Sequence, residues 1–142
     1  MEPVEAEDFE ALATLRIEAM RESLMRIGRF DAERARARLA AGFDPSCTWH
    51  IAKGSERVGF VALREQDKQL TLEHLYVHPS AQGRGIGSAV LARVFAVSDA
   101  RALPVRVGAL RDSASNRFYV RHGFRLVERG ELDNYYVRPA RV

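Results

Sequence analysis

Cysteine, lysine, tryptophan and long apolar runs are all scarce in this 142-residue chain, and the scarcity excludes whole classes of protein. One cysteine, Cys47, rules out an intrachain disulfide and fits a reducing interior. Nothing near it suggests an activated thiolate, so it reads as a small buried hydrophobe. No stretch approaches the roughly 20 apolar residues of a membrane-spanning helix, and the first residues are acidic where a secretory leader would be basic. The expected location is the cytoplasm, with no membrane partner.

Lys53 and Lys68 are the only lysines, so 20 of the 22 cationic residues are arginine, and the net charge is +3. A basic balance can signal nucleic acid, but these arginines are scattered. The densest group, Arg34, Arg36 and Arg38, would spread around more than half of a helix, which suits a solvated surface. No nucleic-acid partner is expected. His50, His78 and His122 have no Cys or carboxylate at ligand spacing, so no metal is expected. No G-x-S-x-G, Cys/His or paired-carboxylate arrangement suggests hydrolysis.

What is present describes one globular domain spanning residues 1–142, with 46% apolar and 29% charged residues. Residues 1–4 read as a short strand. Phe9, Ala13, Ile17, Met20, Leu24 and Ile27 recur at helical spacing, predicting an amphipathic helix over residues 7–27 that Gly28 ends. Asp31 is placed to cap a second helix that Gly42 closes. Residues 47–53 and 57–64 form a hairpin around Gly54-Ser55, and residues 69–78 the next strand. A helix from Gly85 to about Asp99 buries Ile86, Val90, Val94 and Val97. Residues 104–109 are a buried parallel strand, residues 113–122 a helix ending at Gly123, and residues 124–128 and 132–137 a closing hairpin.

The most informative stretch runs from Leu75 through Tyr76, Val77, His78 and Pro79 to Gln82, Gly83, Arg84, Gly85, Ile86, Gly87 and Ser88. An apolar strand enters a glycine-studded turn that opens directly into a helix. Glycines let the backbone curl tightly and approach an anion closely, and the helix N-terminus supplies free N–H groups and a positive dipole end. Such a turn favours a pyrophosphate. It is not a P-loop, because no Lys follows Gly87, and the glycine spacing is wrong for a dinucleotide fingerprint.

The spacing that fits is Q-x-x-G-x-G, from Gln82 through Gly85 to Gly87, and with the preceding strand it resembles the acetyl-CoA-binding core of the GNAT superfamily of N-acetyltransferases. A second segment, Asn116-Arg117-Phe118-Tyr119-Val120-Arg121-His122-Gly123-Phe124, resembles the N-x-x-(F/Y)-Y-x-x-x-G-F segment of the same superfamily, about 30 residues further on. The resemblance covers roughly residues 47–138.

The resemblance implies an α/β domain with a central mixed, mostly antiparallel sheet of six or seven strands and about four helices. The order would be β-α-α-β-β-β-α-β-α-β-β, with a clipped first strand. It implies acetyl-CoA as acyl donor and a small-molecule or peptide amine as acceptor, attacked directly, and a homodimer is compatible with it. Leu75, Tyr76 and Val77 would lend backbone groups to the pantetheine arm and acetyl group, a backbone N–H near Val77 lying on the thioester oxygen. Gln82, Gly83, Arg84, Gly85, Ile86, Gly87 and Ser88 would hold the pyrophosphate. Asn116 would meet the pantetheine amides, with a turn residue beside Ser113 and Ser115 as its other reading.

Tyr119 would protonate the leaving thiolate, which a phenol of pKa about 10 can do at neutral pH, or else simply pack beside Phe118. Glu73 would take the amine's proton, since alternation puts it on the face of Leu75 and Val77. His74 stands where an Asp is common in the family, but the same alternation points it to the opposite face. The acceptor pocket would lie within residues 16–30 and 133–136. A non-catalytic acyl-CoA sensor is the other function class, and the presence of Tyr119 and Glu73 speaks for catalysis.

Overall fold

A computed structural model describes residues 1–26, 28 and 31–141. Seven strands and four α-helices are found among them, in the expected order: β1 (Glu2–Pro3), α1 (Phe9–Arg26), α2 (Ala32–Gly42), β2 (Thr48–Lys53), β3 (Glu56–Gln66), β4 (Gln69–Val77), α3 (Ile86–Arg101), β5 (Val105–Leu110), α4 (Ser115–Arg121), β6 (Arg125–Arg129) and β7 (Asp133–Arg138). The strand order is β1-β2-β3-β4-β5-β7-β6. β4 and β5 run parallel, whereas β1–β2, β2–β3, β5–β7 and β6–β7 are antiparallel, which makes the sheet mixed as expected.

The chain forms two compact units, each with pieces of β3 and β4. The first comprises Met1–Ala62 and His74–Gly87. Its core gathers Val4, Leu12, Ala13, Leu39 and Phe60, with Phe9, Leu15, Phe43 and Tyr76 packed against them. Asp31 caps α2 as expected, accepting from the Arg34 N–H at 3.1 Å. Gly28, in the left-handed region at φ 70°, follows α1, and its N–H bonds the Met25 carbonyl. Gly42 is the last residue inside α2 rather than beyond it. Ile27, Arg29 and Phe30, part of the helix and acceptor-pocket expectations, lie outside the described residues.

The second unit comprises Leu63–Glu73 and the chain from Ser88 onward. The β3–β4 turn belongs to it, with Asp67 and Lys68 at φ 55° and 61°. Two successive positive φ values are the mark of a hairpin turn whose twist matches its strands. Leu70, Leu72, Val90, Leu91, Val94, Val105, Val107 and Phe124 are buried here. One expectation fails on α3. Val97 is 42% exposed while Ser98 is wholly buried, its hydroxyl donating to the Leu103 carbonyl. The inward face is Val90, Leu91, Val94 and Ser98, because α3 is apolar nearly all round and its composition does not mark which side faces in.

Candidate active site

In the first unit the site residues begin at the end of β4. His74 and Tyr76 lie on one side of the strand, their rings 5.8 Å apart and each within 6 Å of the Phe60 ring. Gly59 of β3 allows β4 to come close. A Cβ built there would stand 2.3 Å from the Tyr76 carbonyl oxygen and 3.2 Å from the Val77 Cα. The His78 N–H donates to the Val58 carbonyl at 2.7 Å, and the Gln82 side-chain amide donates back to the Val77 carbonyl at 2.9 Å. Gln82 therefore ties the strand exit to the turn.

His78 is fixed as well. Its Nδ1 accepts from the Ser80 N–H, so in the neutral ring Nε2 carries the proton and donates to Glu18 of α1. The glycine turn then opens. Gly83 and Gly85 sit at φ 78° and 75°, and a Cβ at either would meet open space. Their requirement is the left-handed backbone conformation rather than room. Arg84 and its neighbours are exposed, and Ile86 and Gly87 belong to the first turn of α3, where no acidic residue opposes the helix dipole.

In the second unit Ser88, also expected at the phosphate cradle, bonds His122 at 2.9 Å. The His122 Nδ1 must donate to the Phe118 carbonyl at 2.8 Å, so in the neutral ring its Nε2 accepts the Ser88 hydroxyl proton. Asn116 is the hub of a larger network. Its amide donates to the Leu110 and Ser113 carbonyls at 3.0 and 2.9 Å. Its oxygen accepts from the Tyr136 hydroxyl at 2.7 Å and the Asn134 amide at 3.0 Å. The geometry is that of a turn-bracing residue, with its side chain engaged inside the protein.

Tyr119 is buried on α4, its ring 5.3 Å from Phe124 and 5.5 Å from Phe118. Glu73 is exposed and ion-paired, one oxygen accepting from Arg64 Nε at 3.0 Å. Beside Asn116 opens a cleft of about 480 Å³ lined by Arg111, Arg117, Arg129, Asn134 and Tyr136 among others. Among the described residues no three of His, Cys, Asp and Glu gather as metal ligands, and no helix is long and apolar enough to cross a membrane.

Sequence reasoning passed over three features. Arg16 lies inside the apolar stripe of α1, 7% exposed, and donates through Nη1 to the Ala35 carbonyl at 2.7 Å. For His74, burial, with the Arg16 charge added, pushes the pKa down to about 4. The imidazole is therefore neutral at pH 7 and holds a proton weakly. The His122–Ser88 bond had no signal, since the two residues are 34 positions apart and belong to different motifs.

The sequence model of the acetyltransferase (GNAT) domain family matches residues 44–126, more than half of the chain. The chain belongs to the GNAT acetyltransferase family. It is an acyltransferase domain with the fold its motifs imply, and solved structures share that fold. A PaiA N-acetyltransferase from Thermoplasma acidophilum, solved with coenzyme A, aligns at TM-score 0.79 and 16% identity over 97% of this chain and 96% of that one. An acetyltransferase from Thermus thermophilus aligns at 0.74 and 24% identity over 97% and 94%. The ribosomal-protein-S18-alanine N-acetyltransferase of Escherichia coli aligns at 0.74 and 16% identity over 99% and 93%. No curated protein matches this GNAT chain in sequence.

Proposed function

We propose that this GNAT domain transfers the acetyl group of acetyl-CoA to a primary amine by direct attack on the thioester. The observation that carries the reading is the turn in which Gly83 and Gly85 take left-handed backbone angles immediately before the 16-residue α3. Left-handed residues in a turn let backbone N–H groups gather beside a helix N-terminus, the arrangement that suits a pyrophosphate. Gln82, Ser88 and Asn116 act through the backbone they brace, since each side chain is engaged within the protein. Arginines in the cleft beside Asn116 favour an anionic cofactor.

In the reaction the amine nitrogen bonds the carbonyl carbon, the C–S bond breaks, and the nitrogen loses a proton while the sulfur gains one. The Val77 N–H polarises the carbonyl, and the buried Tyr119 hydroxyl supplies the sulfur's proton. Glu73 receives the amine's proton through water. Glu73→Gln should then depress turnover at neutral pH and recover part of it at higher pH, where free amine is abundant; an unchanged pH–rate profile removes Glu73 from the role. The whole reading is tested by titrating the protein with acetyl-CoA. A raised thermal midpoint and amine-dependent release of free thiol are expected. No shift at millimolar acetyl-CoA refutes it.

A further inference from the structure

A charged side chain taken out of water costs several kcal/mol unless an opposite charge and hydrogen bonds compensate it. Arg16 on α1 is 7% exposed, so its guanidinium falls under this rule. Its compensation inside the first unit is thin. Nη1 donates to one backbone carbonyl, that of Ala35, and the Cζ lies 5.6 Å from the centre of the Tyr76 ring. Neither contact is an anion. Among the described residues no carboxylate pairs with Arg16: Glu10 goes to Arg36, Glu18 to His78, and Asp8 to His50 and Arg57. The buried Nε has no hydrogen-bond partner at all.

The same small region holds a second idle group. His74, on β4 two residues before Tyr76, has a buried Nδ1 without a partner. Phe60, His74 and Tyr76 form an aromatic floor, with ring centres 5.5 to 5.9 Å apart, and Arg16 stands over the Tyr76 side of it. Arg16 and His74 do not bond one another. With the His74 proton on Nε2, the floor thus carries one idle cationic donor and one idle acceptor.

A buried water could satisfy either hydrogen bond but would leave the charge uncompensated. A carboxylate compensates the charge yet has no proton to give Nδ1. A molecule that carries a carboxylate and an amine close together does both. One carboxylate oxygen meets the Nε–H of Arg16, on the side of the guanidinium suited to a two-point contact, and the amine N–H donates to His74 Nδ1. Its position fits the chemistry, because Tyr76 immediately precedes Val77, whose N–H is assigned to the thioester oxygen.

We propose that Arg16 and His74 form the acceptor-recognition site, and that the acceptor is a free amino acid, anchored by its carboxylate on Arg16 and oriented through its amine on His74. The inference rests on the acetyltransferase reading and names its substrate class. Arg16 and His74 are specificity residues in it, and the buried charge is an expense of recognition rather than of folding.

The test uses the purified full chain and the twenty common amino acids, each beside its carboxamide and its decarboxylated amine. Thiol release measures turnover, and a thermal midpoint taken without acetyl-CoA measures acceptor binding alone. At least one amino acid should raise the midpoint and be acetylated, with its carboxamide and decarboxylated counterparts poorer by roughly 30-fold or more in kcat/KM. Arg16→Met, similar in length and uncharged, should keep or raise the ligand-free midpoint, abolish the amino-acid shift and leave the acetyl-CoA shift unchanged. Arg16→Lys should restore part of the affinity.

The site is refuted if amides and decarboxylated amines serve as well as amino acids. It is refuted equally if no amino acid shifts the midpoint or reacts, or if Arg16→Met lowers the ligand-free midpoint yet leaves the KM for the amino acid intact. Failure of acetyl-CoA to bind would overturn the transferase reading separately, and the amino-acid shift with its loss in Arg16→Met would still decide the anchor.

Discussion

The turn from β4 into α3 and the turn from β5 into α4 solve different problems with different material. The first is exposed, glycine-rich and specified by backbone angles, with Gly83 and Gly85 both left-handed and open space where side chains would stand. The second is specified by side chains. Asn116 alone takes two carbonyls, one hydroxyl and one amide, and Tyr119 and Tyr136 are buried in the adjoining aromatic cluster. The first is built of exposed backbone, whereas at the second Asn116 keeps its polar atoms for the protein. Mutations should therefore damage binding at the first turn and stability or turnover at the second.

The sharpest way to break that contrast is Gly85→Val. A left-handed angle costs an ordinary residue about 1–2 kcal/mol, and a β-branched one more, so the turn will rearrange. Because nothing crowds the position, the domain should still fold, and the acetyl-CoA thermal shift should vanish. A preserved shift would mean that the cradle does not depend on this conformation. Next in size, Tyr119→Phe should leave acetyl-CoA affinity nearly unchanged and lower turnover by roughly 10- to 1000-fold, the scale of a lost general acid. Steady-state kinetics decide it, and full activity would make the residue pure packing.

Smaller still, Asn116→Ala should lower unfolding free energy by about 1–3 kcal/mol, since it takes one of two bonds from the Leu110 and Ser113 carbonyls and leaves the Tyr136 hydroxyl and Asn134 amide without their acceptor. Denaturant titration measures this, and the acetyl-CoA shift should survive in the folded protein. The last prediction concerns pH. An unfolded histidine titrates near 6.5, while His74 in the fold is held down to about 4. The native state therefore binds fewer protons in this interval. The stability that follows is fully present above pH 6.5 and is lost as pH falls toward 4, with a ceiling of roughly 3 kcal/mol. His74→Phe should flatten this dependence between pH 6.5 and 4.5. Asp8 and Asp99, whose pKa values are also depressed, lose their contributions below 3.8, outside that interval.

The β4–α3 turn was legible in the sequence because its requirement is a residue type: where the backbone must be left-handed, glycine is written into the chain. The α1 stripe was legible in part for a similar reason, since Ala13 is buried where the periodic set puts it, yet the same pattern missed Leu12 and hid Arg16. Periodicity averages over a face and does not register one polar residue buried within it. On α3 the averaging failed outright, turning Val97 inward and Ser98 outward when the structure has the reverse. The Asp67-Lys68 turn was silent because neither residue is the glycine such angles favour. Tyr119 was found by motif together with its neighbour Phe124, whereas Tyr136 arrives through chain reversals that no local window spans.

Gly59 carries no functional group, and a residue-by-residue mutational map would still mark it as sensitive. Even alanine there would drive a methyl into the Tyr76 carbonyl, displacing the stretch of β4 that holds Tyr76 and Val77. The symptom would be lost activity with a modest loss of stability, the signature usually taken to identify a chemical participant. For anyone redesigning the acceptor range of this scaffold, position 59 is best held fixed, because the most intrusive change available at that point is the addition of a single carbon.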